Sequence, residues 1–484
     1  MDGLFELMEH VADIVLLTEN LHLVNKEQAW HYRVLPKAKS DKSLVLFCDE
    51  NAQLSNLQAE LEIVLGQNIT LDPISAIDIS RLLSKYYLKE NASASPTQLH
   101  YKYDEDDFLV TLISEAKNLK SSDIHIESYE NKCRVRIRID GLMVERYLLE
   151  REKYPSLINK IKILSNLDIA EKRLPQDGRI NFKHEEKQFD IRVSVLPTLH
   201  GEKVVLRLLN NDATEIDLNN LGFSKFDLEN YLQGVRRPNG IILLSGPTGS
   251  GKTTTLYATL KLLNKETRNI LTIEDPVEYT LEGINQVQLK EAIGLSFAAA
   301  LRTFLRQDPD VIMVGEIRDT ETANMAIRAA LTGHLVLSTI HTNSAWGTVS
   351  RLIDMGIPPF LVANTLNTTA AQRLIRLLCP HCKEQKSFDA SLYPRHFKPY
   401  KEIDKHFIPV GCEKCHYTGY YGRKAVYEVI PIDQELAIEI KNGNMYIDEM
   451  LKARGIKTMA ENAFSMFVAG DTSLEEIYPL LFNY

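Results

Sequence analysis

The first group of residues with a possible chemical function is a glycine-rich segment. Residues 246–253 read Gly-Pro-Thr-Gly-Ser-Gly-Lys-Thr, which fits the P-loop pattern G-x-x-x-x-G-K-T. An apolar run over 241–244 precedes this segment and a helical pattern over 254–263 follows it. In that setting, backbone N–H groups point at phosphate oxygens and the helix N-terminus adds the positive end of its dipole. The segment therefore predicts a site for a nucleoside triphosphate.

Residue types within the loop assign the expected roles. Lys252 is expected to reach the β- and γ-phosphates, and the Thr253 hydroxyl to ligate Mg²⁺. The sequence has no Asn-Lys-x-Asp of the kind that selects guanine, so ATP is the expected nucleotide. The candidate nucleotide-binding residues are Gly246, Pro247, Thr248, Gly249, Ser250, Gly251, Lys252, Thr253 and Thr254.

Acidic residues follow two apolar strands downstream of the loop. Residues 269–278 predict a buried strand that delivers Glu274, Asp275 and a third carboxylate, and residues 309–319 predict a strand that ends near Glu316. Carboxylates at the carboxyl edge of a parallel sheet lie where ligands bind. Because phosphoryl transfer needs an oriented water, Glu316 is the candidate that positions or deprotonates it. Glu274 or Asp275 is expected to complete the surroundings of Mg²⁺.

A third apolar strand, residues 333–343, carries His334 near its start and His341 at its end. A single histidine in such a strand is more often structural than catalytic. Its place after the Glu316 strand nevertheless makes either histidine a candidate sensor of the γ-phosphate. The sequence leaves open which of the two has this role.

Four of the six cysteines form two Cys-x-x-Cys pairs separated by 29 residues. Two such pairs predict a tetrahedral thiolate zinc site. Four thiolates leave no open position for water, so the zinc is expected to be structural. His381 and His416 lie inside or beside the pairs and stay open as substitutes. The predicted ligands are Cys379, Cys382, Cys412 and Cys415.

The length of the chain and its sequence pattern indicate the domains and elements that position these residues. The 484 residues leave room for about three domains, with polar breaks predicted at 91–98 and 209–217. From residue 222 onward, strands and helices alternate as in a parallel sheet covered on both faces. Strict alternation over 133–140 places three arginines on one strand face, either solvated or bound to nucleic acid.

Charge and hydropathy argue against two classes of protein, those whose main activity is nucleic-acid binding and those that span a membrane. A net charge of −9 argues against nucleic-acid binding as the main activity, so no direct nucleic-acid partner is expected. No stretch approaches the ~18 consecutive apolar residues of a spanning helix. The first ten residues also lack the basic start of a signal peptide. We therefore expect a cytoplasmic protein.

The motifs, in this order, resemble the boxes of the type II/IV secretion ATPase superfamily. Residues 246–253 match its Walker A box and residues 272–278 its Asp box. Residues 305–310 with 315–319 match the Walker B box, and residues 332–334 with 341–343 match the His boxes. The resemblance implies an α/β fold with a RecA-like P-loop ATPase core, in which the glycine before Glu316 belongs to the pattern.

The resemblance extends upstream of the P-loop. Residues 122–127, 173–179 and 190–207 are similar to the family's second N-terminal domain, a PAS-like α/β fold, and residues 29–89 are similar to its small N-terminal docking domain. It implies a docking domain at 1–95, a PAS-like domain at 100–212 and an ATPase domain at 220–484, which includes a zinc module at 379–419.

The family's functional arginines carry over to five positions of this sequence. The resemblance implies that Arg192 and Arg207 bring positive charge from the second N-terminal domain to the nucleotide phosphates. Arg302, Arg306 and Arg318 match further arginines near the site. Arg302 and Arg306 are four residues apart, so they share a helix face, which by itself would indicate only a solvated stripe.

The zinc module and the extended N-terminus resemble the assembly-motor branch, since the retraction motors of the family lack both. The resemblance implies a homohexamer that uses ATP, Mg²⁺ and Zn²⁺. It would lie peripherally on the cytoplasmic face of the inner membrane, docked to platform and docking proteins, and drive assembly of a pseudopilus or pilus. The alternatives are a nucleic-acid-translocating P-loop ATPase of a DNA uptake or conjugation system and a non-hydrolysing scaffold, which Lys252, Thr253, Glu274 and Glu316 disfavour.

Overall fold

The computed structural model describes residues 23–209 and 217–482, except residues 25, 40–42, 66, 77, 80–81, 84–98, 101–107, 185–186, 395–396 and 445. The chain divides into two compact units, Met1–Ser95 and Pro96–Tyr484. The break predicted at 91–98 and most of the break at 209–217 lie outside the described residues. The boundaries of the three domains remain predictions.

The first unit contains a small three-stranded sheet. Its strands lie in the order β1-β2-β3, with β1 antiparallel and β3 parallel to β2. Leu35, Leu46 and Leu61 are fully buried in its core, and Cys48 is buried beside them. The elements are α1 (Lys26–Tyr32), β1 (Val34–Lys39), β2 (Leu44–Asp49), α2 (Leu54–Leu65) and β3 (Ile69–Ile74).

The second unit begins with a seven-stranded, mostly antiparallel sheet. Its elements are β4 (Leu99–His100), α3 (Phe108–Asn118), β5 (Asp123–Ser128), β6 (Cys133–Ile139), β7 (Leu142–Leu149), α4 (Tyr154–Leu164), β8 (Gln176–His184), β9 (Lys187–Thr198) and β10 (Gly201–Leu208). The strand order is β4-β7-β6-β5-β10-β9-β8. Apolar side chains of α3 and α4 share one core with one face of the sheet.

The alternation predicted for β6 is confirmed. Val135 and Ile137 are buried in the core, whereas Arg134 and Arg136 lie on the other face. Both guanidiniums donate to the Glu127 carboxylate, at 3.0 Å from Arg134 and 2.8 Å from Arg136. Arg134 also lies 3.1 Å from Glu145, and Arg138 lies 3.7 Å from Asp123. All three arginines of this face therefore have acidic partners on the same sheet.

The remainder of the second unit is built on a seven-stranded sheet with helices on both sides. Its elements are α5 (Lys225–Val235), β11 (Gly240–Ser245), α6 (Lys252–Leu263), β12 (Ile270–Glu274), β13 (Asn285–Gln288), α7 (Phe297–Phe304), β14 (Val311–Val314), α8 (Thr320–Leu331), β15 (Leu335–Ile340), α9 (Gly347–Asp354), α10 (Pro359–Thr365), β16 (Leu366–Leu378), β17 (Glu384–Ser387), β18 (Lys405–Ile408), β19 (Tyr420–Pro431), α11 (Gln434–Asn442), α12 (Asp448–Ala453), α13 (Met459–Val468) and α14 (Leu474–Phe482).

The order of this sheet is β13-β12-β14-β15-β11-β16-β19. The first six strands are parallel, as the alternation of strands and helices predicted, and β19 is antiparallel to β16. Ile241 and Leu243 of β11 belong to one core, and Ile242 and Leu244 to the core on the opposite face. The α/β fold is thus confirmed, with helices covering both faces of the parallel sheet.

Parallel strands bring the loops after β11, β12, β14 and β15 to one edge of the sheet. This edge carries the P-loop and the acids and histidine that the sequence singled out. None of the helices in the described part of the chain has the length and apolarity that crossing a bilayer requires.

Candidate active site and metal centre

The P-loop connects β11 to α6 and depends on glycine at its two ends. Gly246 has a φ of +147° and Gly251 a φ of +87°. A Cβ on Gly246 would lie 2.5 Å from the Gln372 carbonyl oxygen, and one on Gly251 would lie 2.8 Å from the Gln372 amide nitrogen. The loop therefore packs against β16 at a distance that only glycine allows.

Lys252, the first residue of α6, lies folded over the loop. Its ammonium donates to the carbonyls of Gly246 (2.8 Å) and Pro247 (3.0 Å). Burial lowers the pKa of Lys252, and the attraction of Glu316 opposes this effect. The only cation of the loop thus lies where the motif expects the phosphates, with the exposed Thr253 beside it at the start of the helix.

Glu316 and His341 follow neighbouring parallel strands and meet at the carboxyl edge of the sheet. His341 Nε2 lies 3.1 Å from Glu316 Oε2. Arg318 donates to the other carboxylate oxygen of Glu316. Both oxygens of this half-buried acid are therefore oriented by neighbouring donors, which suits a group that has to hold a water in place.

His334 has a different environment. Its Nδ1 lies 2.9 Å from the Ala329 carbonyl oxygen and 3.1 Å from the Thr332 hydroxyl, both in the turn that precedes β15. The structure brings His341, and not His334, next to Glu316. The role of a γ-phosphate sensor stays a prediction, for which His341 has the position beside Glu316.

Glu274 is the most buried acid at this edge, with 3% of its surface exposed. Its carboxylate accepts hydrogen bonds from the Tyr257 hydroxyl, from Thr272 Oγ1 (2.7 Å) and from Gln286 Nε2 (3.1 Å). Since Tyr257 belongs to α6, Glu274 ties the P-loop helix to β12.

The three acids at the end of β12 and just after it, which the sequence groups together, diverge in the structure. Asp275 lies 3.4 Å from Arg318, which also binds Glu316. Glu278 lies 3.2 Å from Arg192. Asp275 is therefore the acid of the three that is near Glu316.

Arg192 and Arg207 are directly opposite one another on β9 and β10, so both lie on one face of the antiparallel sheet. Arg192 donates to the Val277 carbonyl (2.8 Å), next to its partner Glu278, and so contacts the segment that follows β12. Arg207 is 60% exposed and donates to Asp123 (2.9 Å). Like charges directly opposite one another destabilise a sheet unless anions neutralise them.

The other three arginines of the family pattern separate into two groups. Arg318 contacts Glu316, as described. Arg302 binds the Glu321 carboxylate, and Arg306 donates to the Arg302 carbonyl (3.0 Å). The helix α7 ends at Phe304, so Arg306 lies beyond it and the two arginines do not share a helix face, contrary to the expectation. Both have partners of their own on α7 and α8.

Two residues that the sequence motifs do not predict, Gln372 and Arg373, lie on β16 beside the P-loop. Gln372 Nε2 donates to the Ser250 carbonyl (2.8 Å), and its amide oxygen accepts from Thr255 of α6 (2.9 Å). Gln372 thus holds both the loop and its helix. The available signal was a polar pair with two apolar residues on either side, since residues 370–375 read Ala-Ala-Gln-Arg-Leu-Ile.

The four predicted zinc ligands converge, with all four sulfur atoms within 4.8 Å of one another. The Sγ–Sγ distances are 3.9 Å for Cys379–Cys412 and 3.8 Å for Cys382–Cys415. A tetrahedron with Zn–S bonds of about 2.3 Å has edges of about 3.8 Å, so the cluster fits zinc.

Backbone N–H groups support the sulfur atoms. Gly411 N donates to Cys382 Sγ and Gly419 N to Cys415 Sγ, each at 3.3 Å. Such donors orient thiolates around a metal. His381 and His416 do not belong to the cluster.

Known proteins share this architecture over most of the chain. A family model described as "Type II/IV secretion system protein" matches residues 105–479. A protein of Escherichia coli strain K12 named "Putative type II secretion system protein E" is 45% identical over 447 residues, which cover 89% of this chain and 88% of that protein. The "Type IV pilus assembly ATPase PilB" of Myxococcus xanthus strain DK1622 is 42% identical over 503 residues, which cover 97% and 88%.

A solved structure gives the same result for the fold. The Legionella pneumophila ATPase DotB aligns with a TM-score of 0.60 at 21% identity, over 81% of this chain and 98% of that chain. The chain is an ATPase that belongs to the type II/IV secretion system protein family.

Proposed function

We propose that this ATPase is the motor that assembles a pseudopilus or pilus in a type II secretion or type IV pilus-like system. It acts as a homohexamer, peripherally on the cytoplasmic face of the inner membrane, where its first unit docks on platform and docking proteins. The names of the relatives from Escherichia coli and Myxococcus xanthus, which match over 88% of their lengths, support this proposal.

The observation that carries the proposal is the convergence of the P-loop and the Glu316–His341 pair at one edge of the parallel sheet. Lys252 and the backbone N–H groups of the loop bind the phosphates. Glu316 orients the attacking water and accepts its proton, and His341 and Arg318 hold the carboxylate in position. Mg²⁺, when bound, neutralises charge on the phosphates. Thr253 and Asp275 are the residues that would hold it.

Glu274 has a positioning role in this proposal. Its bond to Tyr257 fixes α6 against β12, and thereby fixes the orientation of the loop that begins the helix. Both oxygens of Glu274 already accept hydrogen bonds. We therefore place Asp275, not Glu274, in the surroundings of the metal.

Arg192 and Arg207 couple hydrolysis to movement. They belong to the antiparallel sheet, whereas the P-loop belongs to the parallel sheet, so their distance from the phosphates changes when the two sheets move. Arg192 already contacts Val277, next to β12. Phosphates of bound ATP would replace Glu278 and Asp123 as the anions that neutralise the two guanidiniums.

The zinc module is structural. The four cysteine sulfurs complete a tetrahedron without an open position, so a zinc ion there could not activate water. Cys379 follows β16 and Cys415 precedes β19, so the metal joins the ends of the two strands that form the edge of the sheet.

The test is the ATP turnover of the purified hexamer with different partners. We expect vesicles of acidic phospholipid together with the platform protein to raise turnover, and DNA to leave it unchanged. Lys252→Ala provides the inactive control. Stimulation by DNA alone would instead support the nucleic-acid-translocating alternative.

A further inference from the structure

Arg373 lies beside the phosphate-binding loop, on the strand next to β11. Ser245, the residue before the loop, is paired in register with Ala371, so the side chains of β16 that follow Ala371 are level with the loop. A Cβ atom added to Gly246 would lie 3.1 Å from Arg373 Nη1. The guanidinium therefore lies against the first glycine of the motif, the residue whose carbonyl binds the Lys252 ammonium.

The partners of Arg373 are neutral. Nη1 donates to the Gln372 carbonyl (3.0 Å), and Nη2 is 3.4 Å from the Asn343 carbonyl and 3.5 Å from its side-chain oxygen. Among the residues that the structure describes, no carboxylate lies within ion-pair distance of this guanidinium. The acid whose charge raises the pKa of Arg373 is Glu428. Its carboxylate already accepts hydrogen bonds from the backbone N–H groups of Ala345 and Met459.

Arg376, three residues further along β16, is an arginine of this strand with a structural role. Its Nε donates to the Glu476 carboxylate (2.8 Å), and its guanidinium lies 4.1 Å from the centre of the Tyr420 ring. Both features attach α14 and β19 to β16. Arg373 has neither a carboxylate nor an aromatic ring as a partner in the described part of the chain.

The electrostatics of Arg373 favour an anionic ligand. Burial lowers its pKa, and its positive charge also lowers the pKa of Lys252. Glu316 offsets this repulsion at Lys252, but Arg373 has no carboxylate partner in the described part of the chain. A half-buried guanidinium of this kind is destabilising unless an anion binds beside it. The phosphate chain of ATP is the anion for which the loop is built.

We propose that Arg373 is a phosphate-binding residue of the ATP site and that it donates hydrogen bonds to the β- and γ-phosphates together with Lys252. This inference rests on the proposed assignment of the P-loop as the ATP site. A planar guanidinium offers paired donors to phosphate oxygens, which a lysine ammonium cannot reproduce. Arg373 belongs to the same sheet as the loop, so its contact does not depend on domain movement, unlike the contacts proposed for Arg192 and Arg207.

The first test compares two substitutions of Arg373 by direct binding of a non-hydrolysable ATP analogue with Mg²⁺. Loss of a charge-assisted hydrogen bond should weaken binding about tenfold or more in Arg373→Gln. Arg373→Lys should recover part of this loss. Arg376→Lys is the matched control and should keep the affinity while lowering the unfolding temperature. Unchanged affinity in a folded Arg373→Gln variant would overturn the inference.

The second test uses the unaltered protein and does not depend on folding of a variant. An arginine-selective dicarbonyl reagent is applied with and without the ATP analogue, and modification of each arginine is measured by mass spectrometry. We expect the analogue to protect Arg373 and to leave Arg376 unaffected. Binding of the analogue without protection of Arg373 overturns this inference alone, whereas no binding at all contradicts the P-loop assignment.

Discussion

The Asp140 carboxylate accepts a hydrogen bond of 2.7 Å from the backbone N–H of Gly422. Asp140 and Gly141 form the turn between β6 and β7, and both have positive φ angles, +48° and +89°, as a two-residue Asp-Gly hairpin requires. Gly422 lies in β19, shortly after the zinc ligand Cys415. A turn of the antiparallel sheet is thus attached to the strand that leaves the metal cluster.

This contact predicts that Asp140→Ala loosens the β19 segment without unfolding either sheet. Alanine removes the acceptor and disfavours the positive φ. Hydrogen exchange of the peptide that contains Gly422 should become faster. Asp140→Asn is the matched control, because asparagine retains an acceptor oxygen and tolerates this backbone conformation. Equal exchange in Asp140→Ala and the unaltered protein would show that the contact does not restrain the segment.

A second prediction concerns Glu316. Glu316→Gln keeps the size of the side chain but removes its ability to accept a proton, so turnover should fall by about 10²-fold or more. Binding of ATP should be retained, since Lys252 and the loop are unchanged. Steady-state ATP hydrolysis by the purified hexamer measures the first effect, and equilibrium binding the second. Glu282→Gln, at an exposed position, is the control, and normal turnover in Glu316→Gln would exclude this acid as the base.

The third prediction concerns the four-cysteine cluster, which should hold one zinc ion per chain. Cys412→Ser should lose the metal and loosen residues 379–419, because a structural zinc contributes directly to the folding of its module. Binding of ATP should survive, since Gln372, which holds the P-loop, lies within β16, whereas the cysteines lie beyond the end of that strand. Elemental analysis and limited proteolysis measure the two effects, with Cys48→Ala as a control that keeps the metal. A zinc-free unaltered protein would contradict the assignment.

The sequence predicted the elements that local pattern determines. The P-loop glycines, the apolar runs of the parallel strands and the spacing of the four cysteines are each visible within short segments. The structure confirms the parallel sheet around β11, and it brings the cysteine sulfurs together at the distances that zinc needs. The edge strand β19 was missed because its antiparallel pairing with β16 joins distant segments.

Side-chain partners were less predictable because they depend on packing between such segments. Glu274 and Asp275 are adjacent and were alternatives for the surroundings of Mg²⁺, yet Glu274 is buried against Tyr257 and Asp275 faces Arg318. Arg373 was overlooked for the same reason, since its place beside the P-loop follows from the pairing of β16 with β11.

A fourth prediction uses the buried acid of the antiparallel sheet. Burial raises the pKa of Glu127, but hydrogen bonds from Arg136, Lys203 and Arg134 outweigh it and lower the pKa to about 2 from an ordinary value of 4.5. A lowered pKa stabilises the folded state above pH 4.5, and this stabilisation, of the order of 3 kcal/mol, is lost as the pH falls towards 2.

Glu127→Gln should therefore lower the unfolding temperature at neutral pH, and the difference from the unaltered protein should narrow as the pH falls below 4.5. Thermal unfolding at several pH values measures this difference. Glu130→Gln, at an exposed position just beyond β5, should show no difference at any pH. A difference for Glu127→Gln that stays constant with pH would mean that the charge of Glu127 is not what stabilises the sheet.

The last prediction decides between two roles of Arg207. In the structure Arg207 pairs with Asp123. Burial raises the pKa of Asp123, but the hydrogen bonds from Arg207 and Ser122 outweigh this effect and lower the pKa. If Arg207 were only the partner of Asp123, Arg207→Lys would keep a positive charge beside this acid, and hydrolysis would be nearly normal.

If closure of the antiparallel sheet brings Arg207 to the γ-phosphate, lysine cannot reproduce the paired hydrogen bonds of the guanidinium. An arginine supplied in this way can contribute about 10³–10⁵ in rate, so Arg207→Lys should lose most hydrolysis while it folds and binds ATP. Arg138→Lys is the matched control, because Arg138 lies 3.7 Å from the same Asp123 carboxylate. Single-turnover hydrolysis at saturating ATP measures the rate. Saturating ATP removes any effect of a difference in affinity. Slow hydrolysis by Arg207→Lys together with normal hydrolysis by Arg138→Lys would therefore identify a contact that is made in the transition state. Equal rates for the two variants would show that Arg207 is only a partner of Asp123.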